Sequence, residues 1–509
     1  MIAKTKLVPG VAGFQAYEDY ISGIEPGSFF LPVASPATDG KLLISVIVPF
    51  FNTPDKYLVP LLDSLTSQSF SDWELIMADS STDEARARVI EDYSHRDGRF
   101  QYLRLAENTG IAGNTNQALV HVTGTYVAFA DHDDTLSPHA LNEVAIAITE
   151  HPGADILYSD EDAISDDGLL RKRPFFKPAW SPHMFLEMNY TNHLSVIRTD
   201  LVREVGGLRP QMDGAQDYDL LLRLHGRDVK REVIHIPKIL YHWREAEQST
   251  SRDVSHKEYV LDAGIQALLE HLDRLGVDND GVDPAVGRPG WYRIRPRQRC
   301  RAEVVVMVAE DETVNKHFAH LLQQRTHCEW VTPVFTCLSP DSNLQEHERG
   351  RDEDVLVIIR AMYLPEEATW LDDLAGVLAL PDTAAVAPLL VQDTGSCLYE
   401  AGYVDVGGAL RPLFPGADLQ EDGVVGPVDL VRDVDGLSSQ VIAFSRSSSQ
   451  AALTASGVID GRGCDGRLVL WGHLRFAARR VPYRNRYLND NVALLGSKVV
   501  LRTEPRRRH

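Results

Sequence analysis

Hydrophobic positions along this chain fall into two alternating rhythms. The run LLISVIVPF (42–50) is continuous and β-branched, the pattern of a strand buried on both faces. Leu58, Leu61, Leu62 and Leu65 then recur at helical spacing within 55–68. WELIMAD (73–79), RFQYLRLA (99–106) and TYVAFAD (125–131) predict three further strands, with helical patterns at 83–94 and 113–121. Ser137 and Pro138 read as an N-cap and first helical residue ahead of an inward stripe of Leu141, Val144, Ala145 and Ile148. Strand–helix alternation at these lengths predicts an open, mostly parallel α/β sheet, in which ligands bind at the carboxyl ends of strands. Acids gather there. Asp79 closes one strand, Asp131 closes another, and the run ADILYSDED (154–162) also ends in acids.

The rhythm repeats after a break. KEYVLDAGIQALLEHLDRLG (257–276) reads as a helix, and the Gly/Pro/Asp-rich VDNDGVDPAVGRPG after it as a linker. A second alternating segment opens at AEVVVMVAE (302–310). It continues through a helix at 313–325, strands at CEWVTPVF (328–335) and DVLVII (354–359), and a helix near 367–379. The expected organisation is an N-terminal helix and linker over 1–40, a first α/β domain over 41–255, a helix and linker over 256–298, and a second domain over 299–509.

Composition narrows the function classes. The 509 residues carry 51 Lys and Arg against 73 Asp and Glu, a formal charge of −22. That argues against a nucleic acid as the main partner and against an anionic membrane held by charge alone. Arg506–Arg507–Arg508 is a local exception that reads as a solvated tail. No cysteine occurs before Cys300 and no CxxC occurs, which fits free thiols in a reducing compartment. MIAKTKLVPG lacks the apolar core of a signal peptide, and no run of ~18 apolar residues is present. The expectation is a soluble, cytoplasmic chain, with peripheral membrane association and homo-oligomerisation left open.

The stretch YVAFADHDDTLSP (126–138) carries the sharpest chemistry. Asp131 and Asp133, one residue apart on a turn after a strand, can hold Mg²⁺ or Mn²⁺ through oxygen, with substrate phosphates completing the shell. Taken alone, the same acids also suit a polar turn. The context is SVIVPFFNTPD, ADSSTD, ENTGIAGNTNQAL and GTYVAFADHDD, followed by YSDEDAI, FKPAWSP, NHLSVIRTDLVREVGGL, GAQDYDLLLRL and ILYHWREAEQST. This series resembles inverting family 2 glycosyltransferases of the GT-A fold over roughly 42–290. It looks most like bacterial tandem-domain members of surface-polysaccharide and O-antigen clusters.

The resemblance implies roles position by position. Pro49 and Asn52 line the nucleotide pocket, and Asp79 accepts from the base edge. The loop DSSTD after it is one residue shorter than the usual DDGSTD. Asn108, Gly110 and Asn114 form the NxG segment, with Asn114 replacing the usual Arg. Asp131 touches ribose or metal, and Asp133 is the metal ligand proper. Asp217 in GAQDYDL is the base that deprotonates the acceptor hydroxyl, with Gln216 where Glu is common. Near the start of a helix, its charged form is expected to be favoured by the helix dipole. His242 completes the metal shell. Arg244 neutralises the departing diphosphate, and Ser249 and Thr250 donate to phosphate. Asp160, Glu161, Asp162 and Trp180 line the acceptor cleft. The implied partners are a UDP-, dTDP- or GDP-linked sugar and a glycan or lipid-linked glycan, with a protein acceptor as the alternative.

The second half reads as a degenerate GT-A-like copy, most clearly at LPDTAAVAPLLVQDTGSCLYEAGYVDVGG (380–408). The strand VLVII (355–359) runs into Arg360–Ala361–Met362 where the acids would stand, so this half is expected to lack metal chemistry. Two other classes compete with this reading. A nucleotidyltransferase would want a Gly-rich basic loop where PFFNTPD stands. A carbohydrate-binding or scaffold protein fits the second half better than the first.

Overall fold

The computed structural model describes residues 44–226, 230–246, 257–339, 342, 354–360 and 363–391, and shorter stretches between 398 and 478. The N-terminal segment 1–40, Ser249, Thr250 and the arginine tail lie outside the described residues.

The first half runs β1 (Ile44–Phe50), α1 (Asp55–Thr66), β2 (Trp73–Asp79), α2 (Glu84–Arg96), β3 (Phe100–Arg104), α3 (Gly110–Leu119), β4 (Tyr126–Phe129), β5 (Thr135–Leu136) and α4 (Ala140–Glu150). It continues through β6 (Ile156–Ile164), β7 (Arg171–Phe175), α5 (Pro182–Phe185), β8 (Ser195–Arg198), α6 (Thr199–Glu204), α7 (Gln216–Leu224), β9 (Val233–Arg244) and α8 (Lys257–Leu275). The strands form one nine-stranded sheet in the order β3-β2-β1-β4-β8-β6-β9-β5, with β7 beside β6. β1 lies parallel to β2 and β4, and β2 to β3. β8 is antiparallel to both β4 and β6, while β6 and β9 are parallel. β1, covered by helices on both faces, is buried along nearly its whole length, as its continuous apolar run requires.

Two local expectations shift. Helix α4 begins at Ala140 rather than Pro138. Ser137 instead donates its N–H to Leu240 O and accepts from Gln68 Nε2, so it ends the short strand β5 beside β9. Asp160, Glu161 and Asp162 do not end β6; they lie inside it, where each has a basic or imidazole partner.

The second half repeats this plan. The strand Cys300–Val306 is parallel to Val331–Cys337 and Val355–Ile359, as β1 is to β2 and β4. Val441–Ser445 takes the antiparallel place of β8, between Val355–Ile359 and Thr383–Val391. Arg467–Ala478 runs parallel to Thr383–Val391 and antiparallel to Tyr363–Pro365, repeating β6, β9 and β5. The second α/β region therefore shares most of the strand plan of the first; among the described residues it has no counterpart of β3 in the sheet order, and it adds Arg432–Val434 beside Arg467–Ala478. The segment expected as a linker pairs as a hairpin, Asn279–Pro284 with Tyr292–Pro296. Val282, Tyr292 and Ile294 point inward there, and period-two burial outweighs the Gly/Pro content.

The halves share a core. One apolar cluster runs from Ile47 and Ile76 through Leu220 and Tyr292 to Val304 and Val469. Polar contacts cross with it. The buried His183 on α5 bonds Asp433 Oδ1 at 2.6 Å through Nδ1 and Thr383 Oγ1 at 2.7 Å through Nε2. Buried Glu187 accepts from Val431 N, and Arg467 donates to Trp180 O at 3.2 Å.

The His183 contact holds the Asp433 carboxyl below the usual carboxylate range against its own burial. The stability it supplies is present above the unfolded carboxylate pKa and is lost as pH falls through the lower, folded value. Removing one partner of a buried pair strands the other. His183→Ala is expected to cost about 3 kcal/mol in urea unfolding at pH 7. That cost should shrink as the pH drops below ~4.

Candidate active site

The chain order in the sheet reverses at β1, whose neighbours β2 and β4 lead in opposite directions, so a crevice opens above its carboxyl end. The loop Ala130–Asp134 lies there. Its three carboxylates have different surroundings. Asp134 is fully buried; its Oδ2 accepts from Tyr241 OH at 2.6 Å and its Oδ1 from Arg244 N at 2.6 Å. Burial and the charges of Asp131 and Asp133 push its pKa well up. The Tyr241 hydroxyl also accepts from Asp131 N at 3.0 Å. Asp134 thus pins the loop to β9, while the Asp131 side chain is 52% exposed and that of Asp133 20% exposed. Burial, with Asp131 adding to it, also raises the Asp133 carboxyl.

One exposed and one half-buried carboxylate on one turn fit a hard divalent cation whose other ligands are water and phosphate. Among the described residues no three His, Cys, Asp or Glu side chains gather as a metal-holding group. His242 is engaged elsewhere: its Nδ1 bonds Asp162 Oδ1 at 2.6 Å, and Asp162 Oδ2 accepts from Arg171 Nε at 2.6 Å.

Arg244 departs furthest from its expected role. Its guanidinium donates to the backbone carbonyls of Asp133 (2.6 Å), Ser165 (3.4 Å) and Asp166 (3.2 Å), 5.5 Å from the Tyr57 ring centroid. It is buried. These donors organise the acidic loop and the 165–170 turn rather than reaching into open space. A side chain at Gly168 would meet the guanidinium at 2.9 Å.

The residues expected on the nucleotide side are knitted to one another. Asn52, at φ 50°, donates its N–H to Ser81 Oγ and accepts from Thr82 N. Asn114 is buried between Thr109 N and Ser80 Oγ, and its amide also donates to Asn108 Oδ1. Asp79 is fully buried, accepting from Ser81 N on one oxygen and from Tyr102 OH and Arg104 on the other. Both its oxygens are therefore in use within the chain. Gly110 has φ +83°, and a Cβ there would lie 2.1 Å from Asp213 Oδ2, so only glycine fits. Asp213 Oδ1 also accepts from Ala112 N, tying the first turn of α3 to the segment that leads into α7. That tie helps α3 begin three residues earlier than its apolar spacing predicts.

Asp217 stands in the first turn of α7, whose Leu220, Leu221 and Leu224 are buried. It lines one cleft with Pro49, Asp131, His193 and Gln216. Its Oδ1 accepts from Tyr218 N at 2.8 Å. The helix start was expected to favour its charged form. Burial outweighs that donor and the nearby His193, and the carboxyl is raised.

The residues expected on the acceptor side divide. Asp160 accepts from Lys177 N and pairs with His235, while Glu161 accepts from the buried Lys177 Nζ at 2.9 Å. Trp180 packs on Phe185 and His225, with centroids at 5.1 and 4.8 Å, and belongs to the contact between halves rather than to the cleft. Sequence reading gave no role to Tyr241, Lys177, Asp213 or His193, although NHLSVIR lay within the quoted pattern.

Residues 45–206 match the family described as Glycosyl transferase family 2. The match runs from β1 through α6 and ends before α7. The chain is 42% identical over 233 residues to an uncharacterized protein of Sinorhizobium fredii, covering 46% of this chain and 26% of that one. A longer match, 32% identical over 394 residues, is to the O-antigen biosynthesis protein RfbC of Myxococcus xanthus, covering 71% of this chain and 30% of the relative. The chain thus spans about a quarter to a third of the length of these curated relatives. Among solved structures, Staphylococcus aureus TarS 1–349 in complex with UDP-GlcNAc is similar at 22% identity and a TM-score of 0.38, over 46% of this chain and 68% of that one.

The like charges of the acidic loop should be measurable. The folded-state pKa of Asp133 is raised, so its ionised form costs stability that grows as pH rises above the ordinary carboxylate value. Asp133→Asn is expected to raise the melting temperature of metal-free protein at pH 7 by about 2–4 °C. The gain should vanish near pH 4. In the same thermal scans, the further rise that Mn²⁺ gives the unsubstituted chain should be absent.

Proposed function

We propose that the family 2 domain transfers a sugar, with inversion, from a nucleotide-sugar donor to a hydroxyl of a glycan acceptor in surface-polysaccharide assembly. One observation carries this reading: Asp131, at the end of β4, and Asp217, at the start of α7, face a single cleft at the carboxyl edge of the sheet. A divalent cation, when bound, would supply charge stabilisation for the leaving diphosphate, and Asp131 and Asp133 are the residues that would hold it.

The chain's own residues supply the rest. Asp217 removes the proton from the acceptor hydroxyl as that oxygen bonds to the anomeric carbon. The bond from the anomeric carbon to the diphosphate oxygen breaks, and the nucleoside diphosphate leaves. A carboxyl raised by burial is better matched to that proton than an ordinary surface acid. Asp134, Tyr241 and Arg244 hold the acidic loop in place. The surface-glycan assignment is supported by the similarity to RfbC across both halves. In the second half, Arg360–Ala361–Met362 follows the strand equivalent to β4, so the chemistry is assigned to the first half alone.

The test is turnover of a panel of UDP-, dTDP- and GDP-sugars with and without Mn²⁺. Asp217→Asn should bind its donor within about twofold of the unsubstituted chain and lose 10²–10⁴-fold in transfer, roughly the contribution of a general base. Full transfer activity in Asp217→Asn would remove it from the mechanism.

A further inference from the structure

Three segments that sequence reading left without a joint purpose converge on one side chain. Lys177, from FKPAW, is buried with its amine donating to Glu161 Oε2, Asn192 O (2.7 Å) and His193 O (2.9 Å). Glu161, from SDED, also accepts from His193 N. The pair therefore neutralises itself while gripping the backbone on both sides of residue 193. A buried ion pair with every donor used is costly to assemble and rigid once assembled. What it delivers is the imidazole of His193.

That ring stacks on Tyr241, with centroids 4.8 Å apart and planes 19° from parallel. Tyr241 is the residue that bonds Asp134 and Asp131 N, so the ring is referenced to the acidic loop itself. His193 Nε2 stands 3.9 Å from Asp131 Oδ2, too far for a hydrogen bond but close enough for one hydroxyl to bond both. The same ring is near enough to Asp217 to pull that carboxyl down. Among the other polar residues lining the cleft, Thr115 donates to Ile111 O and Ser195 to Thr191 O, while Gln216 accepts from Gly214 N and Asn192 Oδ1 from Ser195. No hydrogen bond to the His193 ring occurs among the described residues.

We propose that His193 is a catalytic residue of the transfer site: its Nε2 donates to a hydroxyl of the transferred sugar, which in turn donates to Asp131. Lys177 and Glu161 are positioning residues that act through it. The inference rests on the transferase reading above and adds the sugar's own contact. It separates the sugar from the nucleotide, because His193 lies on the β8 side of β4 and the base-side loops lie beyond β1.

Calorimetry on the full chain with Mn²⁺ tests this, using a nucleoside diphosphate and the matching nucleotide sugar that the panel identifies. His193→Phe keeps the stack on Tyr241 and removes the donor. It should bind the diphosphate within twofold of the unsubstituted chain. It should bind the nucleotide sugar at least tenfold more weakly than that chain does, and turn over about 100-fold more slowly. His193→Gln should recover part of the sugar affinity. Glu161→Gln should weaken the sugar and not the diphosphate, and adding it to His193→Phe should cost nothing more. If the unsubstituted chain binds neither ligand, the transferase reading falls and this proposal with it. If it binds and turns over, and His193→Phe matches it in sugar affinity and rate, the proposal alone is overturned. Equal loss of diphosphate and sugar binding in His193→Phe would also overturn it, because the effect would then be on the loop and not on the sugar.

Discussion

Mutual repulsion among Asp131, Asp133 and Asp134 is the constraint around which the first half is built. Three carboxylates on one turn cannot all be ionised without compensation, and the chain compensates only one of them internally. Asp134 receives two donors from β9, and Arg244 adds a third bond to the same turn through the carbonyl of Asp133. This fastens the loop to a strand on the far side of the sheet without neutralising Asp131 and Asp133. The arrangement is stable enough to persist and unfavourable enough to welcome a cation from outside. Strain of this kind belongs at sites where binding is meant to relieve it.

The same logic explains the supporting residues. Asp213, Gly110 and Ala112 join α3 to the segment that leads into α7. Lys177 and Glu161 join β6 to the turn before β8. Each link is polar, mostly buried and internally satisfied, which makes it a fixed spacer rather than a flexible tether. The cleft is held between these spacers, so its opposing walls are placed by side chains distant in sequence.

Much of this was legible in the chain. The apolar run of β1, the helical stripe of α1 and the acids closing β2 and β4 each follow from periodicity and from the rule that ligands bind at strand ends. Other features were hidden for physical reasons. The acids of β6 look like a strand terminus because charge is rare inside a buried strand. Their partners Arg171, Lys177, His235 and His242, which periodicity does not reveal, make them tolerable. Arg244 looked like a phosphate ligand because sequence carries no record of which carbonyls a guanidinium meets. The hairpin at 279–296 was masked by its glycines and prolines, although Val282, Tyr292 and Ile294 carry its inward face. His193 had no signal of its own; its place depends on three segments meeting.

The second sheet has a consequence for how such a chain can be altered. It carries the same strand plan without the acidic loop, and so without the electrostatic burden that the first sheet bears. Its core is continuous with that of its neighbour, and His183 and Glu187 seal the join. The unburdened copy acts as ballast for the burdened one. Substitutions that add charge to the first cleft would draw on a reserve held in the other half. A fragment trimmed at the boundary near 298 would expose the shared core and lose that reserve together.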